Sequence, residues 1–152
     1  MKSCFFIGHR EAPDTLLPIL KETIRRLIEE HHVTVFTVGQ YGAFDRIAAQ
    51  AVKELRCKYP QISLSLLLPY HPFDRPITIS PGFDGTFYPP GMERVPKRVA
   101  IVRANRWMVE NSDYLVAYAW HPASNALELV RYARGREQRG QIQVLMIAPD
   151  EE

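Results

Sequence analysis

The sequence predicts an α/β domain in three layers, an open, mainly parallel sheet of five strands with helices on both faces. Three observations predict it. Short apolar runs alternate with longer amphipathic ones, each short run closes on a glycine, a proline or a polar turn, and only residues 70–96 break the alternation. Strands separated by helices run parallel, because each crossover returns the chain to the same end of the sheet, and such crossovers are right-handed. The 152 residues suit one domain over 1–152, long enough to bury roughly two thirds of its unfolded surface.

Residues 3–7 are a compact hydrophobic strand stopped by Gly8. Asp14 and Thr15 offer capping side chains to a helix with Leu16, Leu17, Ile19, Leu20, Ile24, Leu27 and Ile28 on one face. Residues 33–38 are β-branched and apolar, a buried strand ending at Gly39. Residues 43–57 are Ala-rich, with Ile47, Ala48, Ala51, Val52 and Leu55 as the stripe, and residues 62–68 form a third strand closed by Pro69. From Tyr70 to Pro96 the chain carries Ser80-Pro81-Gly82, Asp84-Gly85 and Pro89-Pro90-Gly91, among other breakers. They exclude a regular helix and leave 77–79 as the candidate for a short strand. The aromatics Tyr70, Phe73, Phe83, Phe87 and Tyr88 can pack, which favours a lid or binding loop over plain disorder. Regularity resumes with a helix over 97–111, offering Val99, Ile101, Val102, Trp107 and Met108 for burial. A strand over 114–119, a helix over 125–136 and a strand over 142–147 follow, ahead of an acidic end.

Hydrophobic residues make up 46% and charged residues 24%, the balance of a soluble globular protein, and the net charge is +2. That charge disfavours nucleic acid as a partner, since its binders present basic grooves. Two cysteines, Cys4 and Cys57, make neither a disulfide framework nor a Cys-rich zinc site and fit a reducing cytoplasm. The run Cys4-Phe5-Phe6-Ile7 is shorter than the ~7–15 residues of a secretory segment, and nothing approaches the ~20 of a membrane span. The expectation is a cytoplasmic protein without a membrane partner. His9, His71 and His121 follow different strands without a paired ligand motif, so no metal and no cofactor is predicted; His31 and His32 end a helix in solvent.

In such a sheet, ligands bind beyond the carboxyl ends of the strands, where strand order reverses. The turns to inspect are therefore Gly8-His9-Arg10, Gly39-Gln40-Tyr41-Gly42-Ala43-Phe44-Asp45, Pro69-Tyr70-His71 and Trp120-His121-Pro122-Ala123-Ser124-Asn125. Gly8 permits close backbone approach, and Arg10 offers a fork-shaped cation for phosphate. Gly39 and Gly42 bracket a strand-to-helix turn that can face an anion with backbone N–H groups. The turn is neither Gly-x-Gly-x-x-Gly nor a Walker loop, and two turn glycines would look the same. Asp45 can cap the helix or accept a ribose hydroxyl. Ser124 and Asn125 can cap theirs or meet a phosphate, and His121 can stack on a base.

Four segments carry a family resemblance. They are Phe6-Ile7-Gly8-His9-Arg10, the turn Gly39 to Asp45 with its Ala-rich helix, Arg103-Ala104-Asn105-Arg106-Trp107-Met108-Val109-Glu110-Asn111-Ser112-Asp113, and Val130-Arg131-Tyr132-Ala133. Together they resemble the Rossmann-like SLOG superfamily of DNA-processing Smf/DprA domains and LOG phosphoribohydrolases, most nearly its YpsA-like branch. The resemblance implies a nucleotide-derived ligand over the Gly-rich turns, with Arg10, Asp45, Asn105 and Arg106 near it, and a tendency to form homo-oligomers through helix faces. Where that branch has a Gly-Gly-Thr phosphate turn, this chain has Ser124-Asn125-Ala126, so side chains must replace glycine backbone there. Shifting the register by one would align Glu128 with the Glu that aids N-glycosidic cleavage in the phosphoribohydrolases, again without their glycines. The leading expectation is a domain that binds or senses a nucleotide or nucleotide derivative, such as a nucleotide-sugar or an ADP-ribose- or NAD-like molecule. Its alternatives are an N-glycosidase acting on nucleoside monophosphates, with Glu128 or Asp45 catalytic, and a DprA-like single-strand binder.

Overall fold

A computed structural model describes residues 1–148. Six strands form one sheet in the order β4-β3-β2-β1-β5-β6, every pairing parallel. They are β1 (Lys2–Gly8), β2 (Val33–Val38), β3 (Ser63–Leu67), β4 (Gly85–Phe87), β5 (Tyr114–Tyr118) and β6 (Gln143–Met146). The chain steps outward from β1 to β4, then returns to lay β5 on the other side of β1, with Gly8 level with Tyr118. Strand order therefore reverses between β1 and β5, and a crevice opens there.

Side chains alternate across each strand and sort the core into two halves. Cys4, Phe6, Phe36, Val38, Leu64 and Leu66 pack against α1 (Leu16–His31) and α2 (Ala43–Arg56). Phe5, Leu67, Leu115, Ala117 and Val144 pack against α3 (Ala100–Asn111) and α4 (Asn125–Glu137). All five residues of β5 are buried, as a continuous apolar run covered on both faces requires. α1 buries Leu16, Leu20, Ile24, Leu27 and Ile28, the i, i+4 stripe written in its sequence. Ala48 and Ala51 of α2 are fully buried, and their small side chains let the helix lie close to the sheet.

The structure corrects the sequence at several points. The sheet has six strands, not five. The extra one, β4, lies inside the 70–96 segment, while 77–79 forms no strand. Three residues are too few for a period-2 signal, and tertiary contacts hold them: Leu64 N–H donates to the Asp84 carboxylate at 2.7 Å and Leu68 N–H to the Phe87 carbonyl at 2.8 Å. Arg56 bonds both Asp84, at 2.8 Å, and the Gly82 carbonyl, at 2.7 Å.

Asp14 and Thr15 do not cap α1. Thr15 is already in helical conformation, and Asp14 pairs with Arg46 at 3.4 Å instead. The helix over 97–111 begins as a 3₁₀ turn, Lys97–Val99, and buries Ala100, Ala104, Met108 and Val109, leaving Val102 exposed. His32 caps α1 in the left-handed region (φ 58°), donating its N–H to the Leu27 carbonyl. Cys4 and Cys57 are both free thiols. No helix among the described residues is long and apolar enough to cross a membrane. The acidic end lies outside the described residues.

Candidate functional site

A cavity of about 290 Å³ occupies the β1/β5 crevice. Its wall includes Gly8, His9 and Arg10 after β1, Gly39 and Asp45 around the start of α2, Asn105 of α3, and Ser124 and Asn125 at the start of α4. Of the residues marked by the sequence, Gly42, Arg106, His121 and Glu128 stand outside this wall. Tyr41, Pro69, Ile101, Val102 and Leu129 line it as well. Pro69 lies in a turn already marked and Tyr41 inside a marked motif. The α3 pair carried no signal, because only packing brings that helix across the crevice.

Each strand-end turn has its own job. Gly8 is glycine because of Phe44, not because of a turn: a Cβ there would stand 2.3 Å from the Phe44 ring. Phe44 is fully buried and stacks on Tyr118 with ring centroids 5.9 Å apart. The start of α2 is thus clamped onto the ends of β1 and β5. Gly42, at φ 146°, lets the chain pass the Arg10 backbone, and the Ala43 N–H donates to the Arg10 carbonyl at 2.8 Å.

His9 ties β1 to the turn after β5. Its Nε2 accepts from the N–H groups of Trp120 at 2.9 Å and His121 at 3.2 Å, while its own N–H donates to the Tyr118 carbonyl at 3.1 Å. An imidazole accepting at Nε2 is neutral. Burial, and secondarily the charge of His121, lowers the His9 pKa and keeps it so. Arg10 is exposed, lines the cavity and joins no ion pair among the described residues.

Asp45 sits in the first turn of α2. Oδ2 accepts the Tyr41 N–H at 3.1 Å, whereas Oδ1 is buried with no partner among the described residues. Burial, only partly offset by the Tyr41 bond, pushes its pKa up to about 6. At neutral pH the carboxylate is charged but held at a cost. At α4, the Ser124 hydroxyl accepts the Leu127 N–H at 3.1 Å and donates to the His121 carbonyl at 2.8 Å. The N–H groups of Asn125 and Ala126, the first two of the helix, meet no acceptor among the described residues, and both residues line the cavity.

The sequence profile of the YspA SLOG family (YpsA) matches residues 4–77, a span that includes most of β1, all of β2 and β3, both glycine-bearing turns and α2. Over that span, close to half of the chain, the sequence is similar to the SLOG superfamily. The X-ray structure of DNA processing protein A (DprA) from Streptococcus pneumoniae superposes on it with a TM-score of 0.67 at 15% identity, covering 98% of this chain and 51% of that one. At that identity the likeness bears on the fold, and the chain spans about half the length of that relative. No curated protein matches the chain in sequence.

The remaining SLOG-like segments prove to be joined to each other. In the third, Asn105 lines the cavity, while the neighbouring Arg106 lies over the Tyr132 ring, 4.7 Å from its centroid. Tyr132 belongs to the fourth segment, and its hydroxyl donates to Glu110 of the third. Trp107 packs on Phe87 of β4, ring centroids 5.0 Å apart, and so helps hold the strand the sequence concealed. Glu128 lines a neighbouring cavity with Arg106, Arg131 and Tyr132 that shares Val102, Asn125 and Leu129 with the first, and of the two carboxylates proposed for catalysis only Asp45 lines the first. His121 is exposed, and its Nδ1 accepts the Ala123 N–H at 3.2 Å; His71 packs edge-on against Tyr88, away from the crevice.

Proposed function

We propose that this SLOG-like domain binds a nucleotide or nucleotide derivative in the β1/β5 cavity, with a phosphate at the start of α4. One observation carries the reading: Asn125 and Ala126, whose N–H groups meet no acceptor among the described residues, line the same cavity as Arg10, which joins no ion pair among them. Free amides at a helix N-terminus carry the positive end of its dipole, and a guanidinium adds a full, fork-shaped charge. The Ser124-Asn125-Ala126 turn thereby does without the glycines of its relatives, because Ser124 caps the third amide and leaves the first two open. Asp45 suits the other end of the ligand. A carboxylate repels phosphate but accepts hydroxyls, so it pairs with a ribose. A volume near 290 Å³ is at the small end of ligand pockets, ~300–1,000 Å³, and fits one nucleotide.

Binding without cleavage is the favoured form, because Glu128 does not share the cavity with Asp45. Calorimetric titration with AMP, NAD and ADP-ribose, alongside chromatography for released base, tests both points. Saturable binding that weakens about tenfold or more in Arg10→Ala, with no base released, is the expected result. Base release lost in Glu128→Gln would replace binding with hydrolysis. A single-stranded oligonucleotide binding more tightly than every nucleotide would replace the ligand class, in line with the DNA processing named for the solved relative.

A further inference from the structure

We infer that His9 is the positioning residue of the anion site, and that protonating its ring releases the turn that holds the start of α4 in place. This deepens the nucleotide reading and rests on it. A chain of hydrogen bonds runs without a break from the end of β1 to the first turn of α4. The His9 Nε2 accepts the Trp120 N–H at 2.9 Å and the His121 N–H at 3.2 Å. The His121 carbonyl accepts the Ser124 hydroxyl at 2.8 Å and the Ser124 N–H at 3.2 Å. Ser124 in turn accepts the Leu127 N–H at 3.1 Å, fixing the helix start whose Asn125 and Ala126 amides stay open. Residues 120–123 make no other hydrogen bond to a different element among the described residues. The His9 ring is therefore the tether of this turn.

Protonation reverses what the ring can do. A neutral imidazole has one acceptor nitrogen, and here two backbone donors share it; an imidazolium has two N–H groups and no acceptor. Charged, His9 would set a donor against both amides, and the Ser124 cap would lose its link to β1. The surroundings hold the ring neutral. Burial, and secondarily the charge of His121 with its ring centroid 6.5 Å away, lowers the His9 pKa below the ordinary imidazole value. Tyr118 and Trp120 meet the ring edge-on, centroids 5.7 and 5.1 Å away. On the cavity wall β1 continues into the Arg10 cation, the turn before α2 adds Tyr41, and α2 adds Asp45, the one carboxylate there. No carboxylate bonds to the His9 ring among the described residues, so none favours its charged form. The tether is thus complete above the ordinary imidazole range and is lost as pH falls through the lowered His9 pKa.

Calorimetric titrations of the full chain with ADP-ribose and NAD, from about pH 8 to about pH 5, test this, because a diphosphate lacks the monoester's second ionisation near pH 6. His9→Gln keeps an acceptor oxygen that cannot titrate, whereas His9→Leu keeps bulk and no acceptor. The expected result is a parent whose affinity falls about fivefold or more across that range relative to His9→Gln, with His9→Leu the weakest binder at the upper end. Asp45, its pKa pushed up to about 6, and His121 are common to all three proteins. Protonating Asp45 favours an anion, the opposite sign, so the comparison isolates His9. Without ligand, the Trp120 and His121 amide proton signals of the parent should move upfield together as pH falls, and hardly at all in His9→Gln. Melting curves establish that both variants fold, and the parent's amide signals decide the point if one does not. Equal pH profiles for parent and His9→Gln, a parent that gains affinity on acidification, or amide signals that ignore pH would overturn the positioning role and leave the nucleotide reading standing. Failure of both probes to bind the parent at every pH would remove the nucleotide reading and this inference with it.

Discussion

Two helices begin at the cavity, each with an acid in its first turn, and they place that acid differently. α2 carries its own acid: Asp45 sits in its first turn, its first amide donates to the Arg10 carbonyl, and Phe44 nails the turn to Gly8 and Tyr118. α4 starts with a neutral cap, Ser124, and two amides that nothing in the described residues accepts. Both ends carry the same helix dipole. At α2 the first-turn acid, Asp45, lies on the cavity wall, whereas at α4 the first-turn acid, Glu128, lines the neighbouring space and leaves the Ser124 cap and two open amides at the cavity, so an anion is better received at α4. Helix starts that look alike in sequence, each a small-residue turn after a strand, thus divide the labour of a single site.

The clamp at α2 is the largest effect to test. Phe44→Ala empties a fully buried position between Gly8 and Tyr118 and is expected to cost about 3–5 kcal/mol in chemical denaturation. A loss below 1 kcal/mol would mean that the start of α2 is not anchored there.

Asp45→Asn has the opposite sign. With its pKa raised to about 6, Asp45 favours the fold while protonated, below the ordinary carboxylate range, and that contribution is lost as pH rises through about 6. The neutral amide is therefore expected to stabilise the protein by about 1–3 kcal/mol at pH 7, and by almost nothing at pH 4. Paired melting curves between those limits measure the gap. A gap that failed to widen with pH would remove the charge asymmetry from the comparison. His9 changes in the other direction, its lowered pKa withdrawing stability as pH falls, but it is present in both proteins and cancels in the difference.

Ser124→Ala is expected to cost about 1 kcal/mol of stability, the usual worth of a cap. Nucleotide affinity should change little, because the Ser124 hydroxyl is already engaged on both sides. A binding loss much greater than the stability loss would put the hydroxyl itself on the ligand. Smallest of all is Arg10→Ala, whose side chain is exposed and joins no ion pair among the described residues; stability should stay within about 0.5 kcal/mol while nucleotide affinity falls. A matching fall in melting temperature without ligand would show Arg10 to be structural.

The crossover pattern was legible because periodicity is local. The α1 stripe from Leu16 to Ile28 and the β2 run from Val33 to Val38 stand in the structure as the sequence gives them to be read. β4 was not legible, since three residues held by Asp84, Arg56 and Leu68 carry no period of their own. The strand-end rule brought out most of the cavity wall. It could not separate Asn105 from Arg106, adjacent in sequence but turned to different spaces, nor show that Gly8 makes room for Phe44 rather than for a ligand.

By itself, then, the sequence determined the α/β layering, the SLOG resemblance and the turns where ligand chemistry must sit, because hydrophobic spacing and breaker residues act over a few neighbours. Only the tertiary structure decided the sixth strand, the separation of Glu128 from Asp45, and which helix start keeps its amides open. Those depend on which groups meet across tens of residues of chain. A carboxylate's burial, or an amide's missing partner, exists only once the sheet has brought the turns together.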